Sequence, residues 1–527
     1  MTASPGRTGG RWFEIARTLQ EKAFWKSMPL AGLSMTYIAS VVLSMLDNHQ
    51  NKRWNGFGLD AAPSEAIEAW GSSDPASYLS LANAIHTTGT LPNDLLWIIN
   101  LWAPGQVWAY LTSLWVTSGP GFISILVLID SMLWFLVILR FRSAFSGLIG
   151  DGILCCALAV FVVFSDFRGH ILGPIVLYSD GTTAALLILL IFELKNFWRR
   201  GTRIESILAG LRIGVLVSCS IYLRSQNQYI FYLIIAVMFM SFAWTVIIAS
   251  LNYANDSRLK IEWLMFRLRA PKDLSQSRAS RVALLSIVST FTVLLTVAPY
   301  LSWKASTVGD LGWDIGGKYV LTSGDALVFP QNWLKNEQLA PWQSEGGGGW
   351  ACRIEPGKCD EIHRIEDSSP KPWNLYDSEP ISATTFREMS FETALKNPIH
   401  FLSDRIGFLM RYLLSDTALV RPIDAPNLMR VLHLMVSVAT ILTLLRLSRR
   451  TKQVDIRGFL TGLVFLTFVV VTPPMFINFE VRYLLALRTV MNILFFLGLG
   501  ISIHLVLSFL WERRANVVTF AKLNSEE

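Results

Sequence analysis

The sequence predicts an all-α polytopic membrane protein with about ten transmembrane helices, on three observations. The 527 residues are 52% hydrophobic and only 16% charged, whereas soluble domains carry about 25% charged residues. Apolar runs recur along the chain with polar loops between them, and mean hydropathy is +0.42. The basic residues cluster after every second run, as orientation in a bilayer demands. Nineteen tryptophans suit wide interfacial surfaces, where indole sits well. The net charge of +7 is spread beside the apolar runs. It reads as orientation and contact with anionic lipid headgroups, and not as a nucleic-acid surface.

Residues 1–28 are polar and basic. Trp12, Ile15, Leu19 and Ala23 share one side of a helix, so this leader lies on the membrane or is a plain polar tail. No removable signal peptide is evident: the first apolar run follows a long polar stretch and lacks a small-residue cleavage site. Spans are predicted at about 29–46, 119–139, 149–165, 181–192, 204–222, 229–251, 282–301, 431–447, 458–472 and 484–510. The basic loop 252–281 contains KIEWLMFRLR, which reads as a surface helix. The first outer loop is 47–118, and 29–301 forms an N-terminal transmembrane module. Residues 302–428 are the largest polar segment, too long for a bare loop, so a small extracytoplasmic subdomain is expected. Its end, FETALKNPIHFLSDRIGFLMRYLL, has an amphipathic pattern. The C-terminal helices occupy 429–510 and the tail 511–527.

An even number of spans puts both termini on one side. The loops after the second, fourth, sixth, eighth and tenth spans carry RFR, KNFWRR, a cluster of seven Lys and Arg, RLSRRTK and ERR. The short loops of the other face carry one arginine each: Arg168, Arg224 and Arg482. The rule predicts cytoplasmic termini and an extracytoplasmic face holding the first loop and 302–428. Cys155, Cys156 and Cys219 lie in apolar runs and are expected to be buried thiols. Cys352 and Cys359 could pair if their segment faces an oxidising compartment. No Cys/His cluster has zinc-ligand spacing.

One outer stretch is neither a span nor a free loop: SDPASYLSLANAIHTTGTLPNDLLWIINLWAPGQVWAYL, residues 73–111. Asp74 and Tyr78 are four apart and share a helix face. Pro75 fits a first turn with Asp74 at the cap. Leu79, Ala82 and Ile85 continue a helical stripe that ends near Gly89. A carboxylate held at a helix start beside a membrane suits a general base acting on a lipid-anchored substrate, although an Asp-Pro pair is also an ordinary cap. The other outer loops add Asp166, His170 and Asp180, then Arg224, Gln226 and Asn227, then Glu480, Arg482 and Tyr483. An arginine at a membrane boundary can fork onto two phosphate oxygens, or it can anchor to headgroups. Together these groups suit transfer of a sugar from a lipid phosphate: cations hold the leaving phosphate, and a carboxylate takes the acceptor's proton. No nucleotide-binding loop is present.

At these residues the chain resembles the GT-C superfamily of integral-membrane glycosyltransferases, which use polyprenyl-phosphate sugars. DPASY (74–78) followed by LANAIHTTGTLP is similar to the family's acidic-x-x-x-Tyr motif. NLWAPGQVWAYL (100–111) looks like its proline-glycine element, YSDGTTAALLILL (178–190) like the acidic start of a fourth span, and YLRSQNQ (222–228) like an Arg-Pro-Glu/Gln turn. PYLSWK (299–304) looks like the lead into the large outer segment, and FEVRYLLAL (479–487) like a Glu-x-Arg-Tyr start of a late span. The resemblance implies a multi-pass protein of a bacterial inner membrane with an extracytoplasmic site, of the mannosyltransferase or aminoarabinose-transferase kind. It implies Asp74 as the catalytic carboxylate and Arg224 and Arg482 at the lipid phosphate. It also implies Asp180 as a second acid for acceptor or metal, with Tyr78, Asp166, His170, Gln226, Lys304, Glu480 and Tyr483 lining the donor and acceptor sites. No organic cofactor is implied, and a divalent cation is left open. The chain departs from the pattern where Pro75 replaces a second adjacent acid, and where PYLSWK lacks an Arg-Asn. The implied partners are a polyprenyl-phosphate-linked sugar, a glycan, glycolipid or protein acceptor, and membrane lipids. Other readings are a lipid-linked oligosaccharide polymerase or ligase, and a flippase or transporter. A transporter needs charges deep in the spans, for which Asp130 and Arg212 are the candidates and Arg488 lies one turn in.

Overall fold

A computed structural model describes residues 8–240 except 53, 55, 72–73, 102, 147–149, 165–173, 198–201, 225–226 and 228–229. It also describes 278–308, 427–451, 454–476 and 485–523, with isolated positions within 243–247 and 395–406. Among these residues the chain is nearly all helical and has no sheet, only one bridge between Trp54 and Phe57.

The helices are α1 (Thr8–Gln50), α2 (Pro63–Trp70), α3 (Asp74–Thr88), α4 (Leu96–Leu101), α5 (Gly105–Thr117), α6 (Phe122–Phe145), α7 (Asp151–Phe164), α8 (Asp180–Glu193) and α9 (Arg203–Leu223). There follow α10 (Ile230–Met240), α11 (Arg278–Val308), α12 (Asn427–Thr451), α13 (Val454–Phe476) and α14 (Leu485–Leu523). Five stretches are long and apolar enough to cross a bilayer: Ser27–Gln50, Phe122–Phe145, Arg203–Leu223, Arg281–Thr307 and Leu485–Val506. Their outward faces carry bare Met35, Ile38, Met132, Phe291 and Leu505. Such faces have no place in water, and the chain is an integral membrane protein.

The bundle departs from the predicted segments at four places. The leader and first span form one helix through Pro29, with no break between them. The predicted fourth span, α8, has 14 residues, about 21 Å of helix against a core of about 30 Å. It is buried along its length except at Thr182, so it is a central post rather than a lipid-facing span. The seventh span runs past 301 to Val308 and takes Lys304 with it. Cys156 and Cys219 are exposed on helix faces, and Cys155 alone of the three is buried.

The core gathers around α8. Phe192 meets Phe141 of α6 at 4.9 Å and Phe459 of α13 at 5.4 Å between ring centroids. α9 and α11 pack closely because Gly214 lies where a Cβ would come 2.5 Å from Thr292 Cβ. Ser218 Oγ and Thr296 Oγ1, 2.6 Å apart, add a polar tie between these helices. Small residues and hydroxyl pairs are how helices associate where water supplies no drive.

Candidate functional site

The segment between α1 and α6 folds as short helices lying against the bundle. α3 starts at Asp74, an acidic residue in its first turn, at the positive end of the helix. The first half of α3 is buried almost all round, from Pro75 to Leu79 and at Leu81 and Ala82. It is therefore an inserted helix, not the half-exposed amphipathic one its stripe suggested.

α3 packs on α5, and the rings of Tyr78 and Tyr110 lie 6.5 Å apart. α5 begins at Gly105, where a Cβ would stand 2.6 Å from the carbonyl oxygen of Tyr222. Only glycine allows that approach, and it brings the start of α5 against the end of α9. From α5, Gln106 Nε2 donates to the carbonyls of Val176 and Leu177, each at 3.3 Å, and Tyr110 Oη donates to Leu177 at 3.0 Å. These bonds hold the 3-10 turn Pro174–Leu177 that leads into α8. Burial first, then the neighbouring Tyr78 and Tyr178, pushes the Tyr110 hydroxyl well above its ordinary range. It stays a donor at any working pH.

α8 opens with Asp180, whose side chain is 3% exposed and forms an ion pair with Arg224. Arg224 is the first extended residue after α9, with φ −146° and ψ 114°. Its backbone is fixed: its N–H donates to Ser220 O at 2.9 Å, and its carbonyl accepts from Asn227 N at 3.0 Å. Asn227 Nδ2 also donates to Ser220 O at 2.9 Å. In the first turn of α8, Thr182 donates to Asp130 Oδ1 of α6 at 3.0 Å.

A cavity of about 540 Å³ lies among α3, α4, α5, the end of α9 at Tyr222 and the last turns of α11. Its wall is apolar and aromatic, with Trp108, Tyr222, Tyr300 and Trp303 in mutual contact. Tyr222 is two residues before Arg224. Trp303 precedes Lys304, which is fully buried.

Of the residues singled out in the sequence, Tyr78, Asp180, Arg224 and Lys304 thus fall around one end of the bundle, with Asp74 one turn from Tyr78. Asp166, His170, Gln226, Glu480, Arg482, Tyr483, Cys352 and Cys359 lie outside the described residues, as does KIEWLMFRLR. Gln106 and Tyr110 were not singled out. Their signal was present: two hydrogen-bonding side chains four apart, directly after Pro104-Gly105 in an otherwise apolar helix. Asp130 and Arg212, the candidates for a transport path, are both engaged. Asp130 accepts from Thr182, and Arg212 Nε lies 2.9 Å from Glu193. Asp180 is committed to a cation, and among the described residues no three His, Cys, Asp or Glu side chains gather as a metal site would require.

No family model and no curated protein matches the chain. Among solved structures it is similar to the archaeal oligosaccharyltransferase AglB from Archaeoglobus fulgidus in complex with an inhibitory peptide and a dolichol-phosphate. That alignment has 12% identity and a TM-score of 0.44, and covers 94% of this chain and 52% of that one. The apo form of the Archaeoglobus fulgidus oligosaccharyltransferase aligns at 13% identity and TM-score 0.46, over 94% and 52%. The form in complex with Zn and sulfate aligns at 12% identity and TM-score 0.42, over 89% and 51%. The chain spans about half the length of these proteins.

Proposed function

We propose that the protein is an inverting glycosyltransferase of the GT-C kind, moving a sugar from a polyprenyl phosphate to a cell-envelope acceptor. The observation that carries the reading is the convergence of motif residues far apart in sequence. Tyr78, Tyr110, Leu177, Asp180 and Arg224 form a connected set, with Asp74 one turn away. An ion pair whose cation is 15% exposed and two residues from Tyr222 in the wall of an apolar cavity suits a ligand that is anionic at one end and hydrocarbon at the other.

In this reading the acceptor hydroxyl attacks the anomeric carbon from the face opposite the phosphate. Asp74 takes the hydroxyl proton as the new carbon–oxygen bond forms. The bond from the anomeric carbon to the phosphate oxygen breaks, and its electron pair leaves with the polyprenyl phosphate. Arg224, with Arg482, holds that oxygen's growing charge. A single displacement inverts the anomeric centre. Tyr78, Gln226, Lys304, Glu480 and Tyr483 line the donor and acceptor sites, together with Asp166, His170 and Asp180. The bundle has ten spans, with both termini cytoplasmic and this cluster extracytoplasmic. The engagement of Asp130 and Arg212 with neighbouring helices favours this reading over a transporter.

The test is transfer by the purified protein in lipid nanodiscs, supplied with polyprenyl-phosphate sugars and candidate acceptors. Asp74→Asn is expected to lower turnover by about 10²–10⁴-fold, the usual worth of a general base. Transfer by this variant at the wild-type rate removes the base assignment. Passage of labelled lipid across the membrane without donor consumption removes the enzyme reading.

A further inference from the structure

The ion pair at the start of α8 poses a problem for the function proposed above: the cation assigned to the lipid phosphate already has an anion. Three observations describe how that anion is held. The Arg224 backbone is fixed by Ser220 and Asn227, so its side chain is the part able to turn. Asp180 cannot follow it, because α8 is packed along its length and its first turn is tied to Asp130 through Thr182. Asp180 also keeps a second source of stabilisation, the positive end of α8, when the guanidinium leaves.

We propose that Asp180 is a resident counter-ion for Arg224, and that lipid phosphate binds by taking its place. One guanidinium then serves two anions in turn, so phosphate and the Asp180 carboxylate are negatively coupled through it. The inference rests on the assignment of Arg224 to the phosphate and adds a consequence. Before donor binds, Arg224 is shielded from the anionic headgroups around it. After transfer, Asp180 competes for Arg224 and helps the polyprenyl phosphate leave. The simpler role, in which Asp180 only steadies Arg224 and the guanidinium serves both anions at once, predicts the opposite sign.

The experiment is equilibrium binding of polyprenyl phosphate to the full chain in nanodiscs of neutral lipid, with polyprenol as the control without charge. Asp180→Asn and Asp180→Ser are expected to tighten binding of the phosphate by about tenfold. Neither changes binding of polyprenol, and Asp180→Glu, which keeps the charge, does not tighten binding. Two variants of different size keep the sign readable if one fails to fold. Weaker or unchanged binding in the neutral variants overturns the exchange while leaving the phosphate assignment standing. Phosphate binding that is equally strong in Arg224→Gln overturns the assignment itself, and the exchange with it.

Discussion

The two ends of α8 carry the same chemistry to different purpose. At each end a carboxylate of α8 meets an arginine from across the antiparallel pair of helices, Arg212 within α9 and Arg224 just after it. At the far end Glu193 receives two, Arg140 Nη2 at 3.3 Å and Arg212 Nε at 2.9 Å, and Asn196 Nδ2 donates to it at 3.1 Å. The two arginine side chains are 46% and 50% exposed. At the near end Asp180 meets Arg224, and that arginine is mostly buried, two residues from Tyr222 in the wall of the aromatic cavity. An oversupplied carboxylate with half-exposed partners is a clamp. A pair buried on both sides is a poised charge, whose exchange for another anion costs little water reorganisation. Burial of the cation, and not residue type, separates the end proposed to meet phosphate from the other.

The largest expected difference is in turnover. Arg224→Gln is expected to cost about 10²–10³-fold in kcat, the range for losing one donor to a developing oxyanion. Arg212→Gln should stay within about threefold, since Arg140 still holds Glu193. Equal losses from the two variants, measured as initial rates of sugar transfer, would erase the distinction between the ends.

The next effect is on stability and runs the other way. Glu193→Leu removes the anion that joins α6, α8 and α9. Breaking a buried pair costs about 3–5 kcal/mol, but both arginines here are about half exposed, so about 2 kcal/mol is expected. Thermal unfolding in detergent should shift down while kcat at low temperature holds. An unshifted Tm would mean that the far end clamps nothing.

Gly105→Val tests the approach that brings α5 to Tyr222 next to Arg224. With a Cβ 2.6 Å from a carbonyl oxygen, the start of α5 must move. Overpacking of this kind costs about 1–3 kcal/mol. Gly214→Ala, at the contact between α9 and α11, should cost a similar amount. The expected contrast is that Gly105→Val also raises KM for the donor, while Gly214→Ala lowers stability alone. A raised donor KM in both variants would deny α5 any special hold on the site.

What could be read in advance follows from the range of each signal. Apolar runs are local, and the helices of the bundle stand where those runs do. Asp74, Pro75 and the stripe to Ile85 announced α3 and its end at Gly89 for the same reason. The continuity of α1 was hidden because Pro29 and a change of polarity mark a boundary that the helix ignores. Lys304 seemed to lie outside a span because a charge usually closes one, yet α11 buries it. Exposure of Cys156 and Cys219 was unreadable, since a bilayer removes the polar outer face that marks burial in a soluble helix. The two ends of α8 were least legible. Glu193 meets Arg140 across 53 residues and Tyr110 meets Leu177 across 67. No periodicity reports pairings over such separations.

The smallest effect compares the hydrogen bonds that support each end. Tyr110→Phe deletes only the hydroxyl that donates to Leu177 at 3.0 Å. The ring stays against Tyr78 and Phe122, so packing changes little. A buried carbonyl loses one donor but keeps Gln106 at 3.3 Å, which limits the cost to about 1 kcal/mol. If the turn Pro174–Leu177 sets the position of Asp180, that loss should appear as a change of about fivefold in KM for the donor with kcat little altered. Asn196→Ala is the matching deletion at Glu193, and it should leave both constants alone while lowering Tm slightly. The hydroxyl of Tyr110 is protonated throughout the working range, so the Phe variant should keep the wild-type pH profile. A shifted profile would make Tyr110 a proton carrier and not a support. It would also bring the reacting groups closer to α5 than to the Asp74 end of α3.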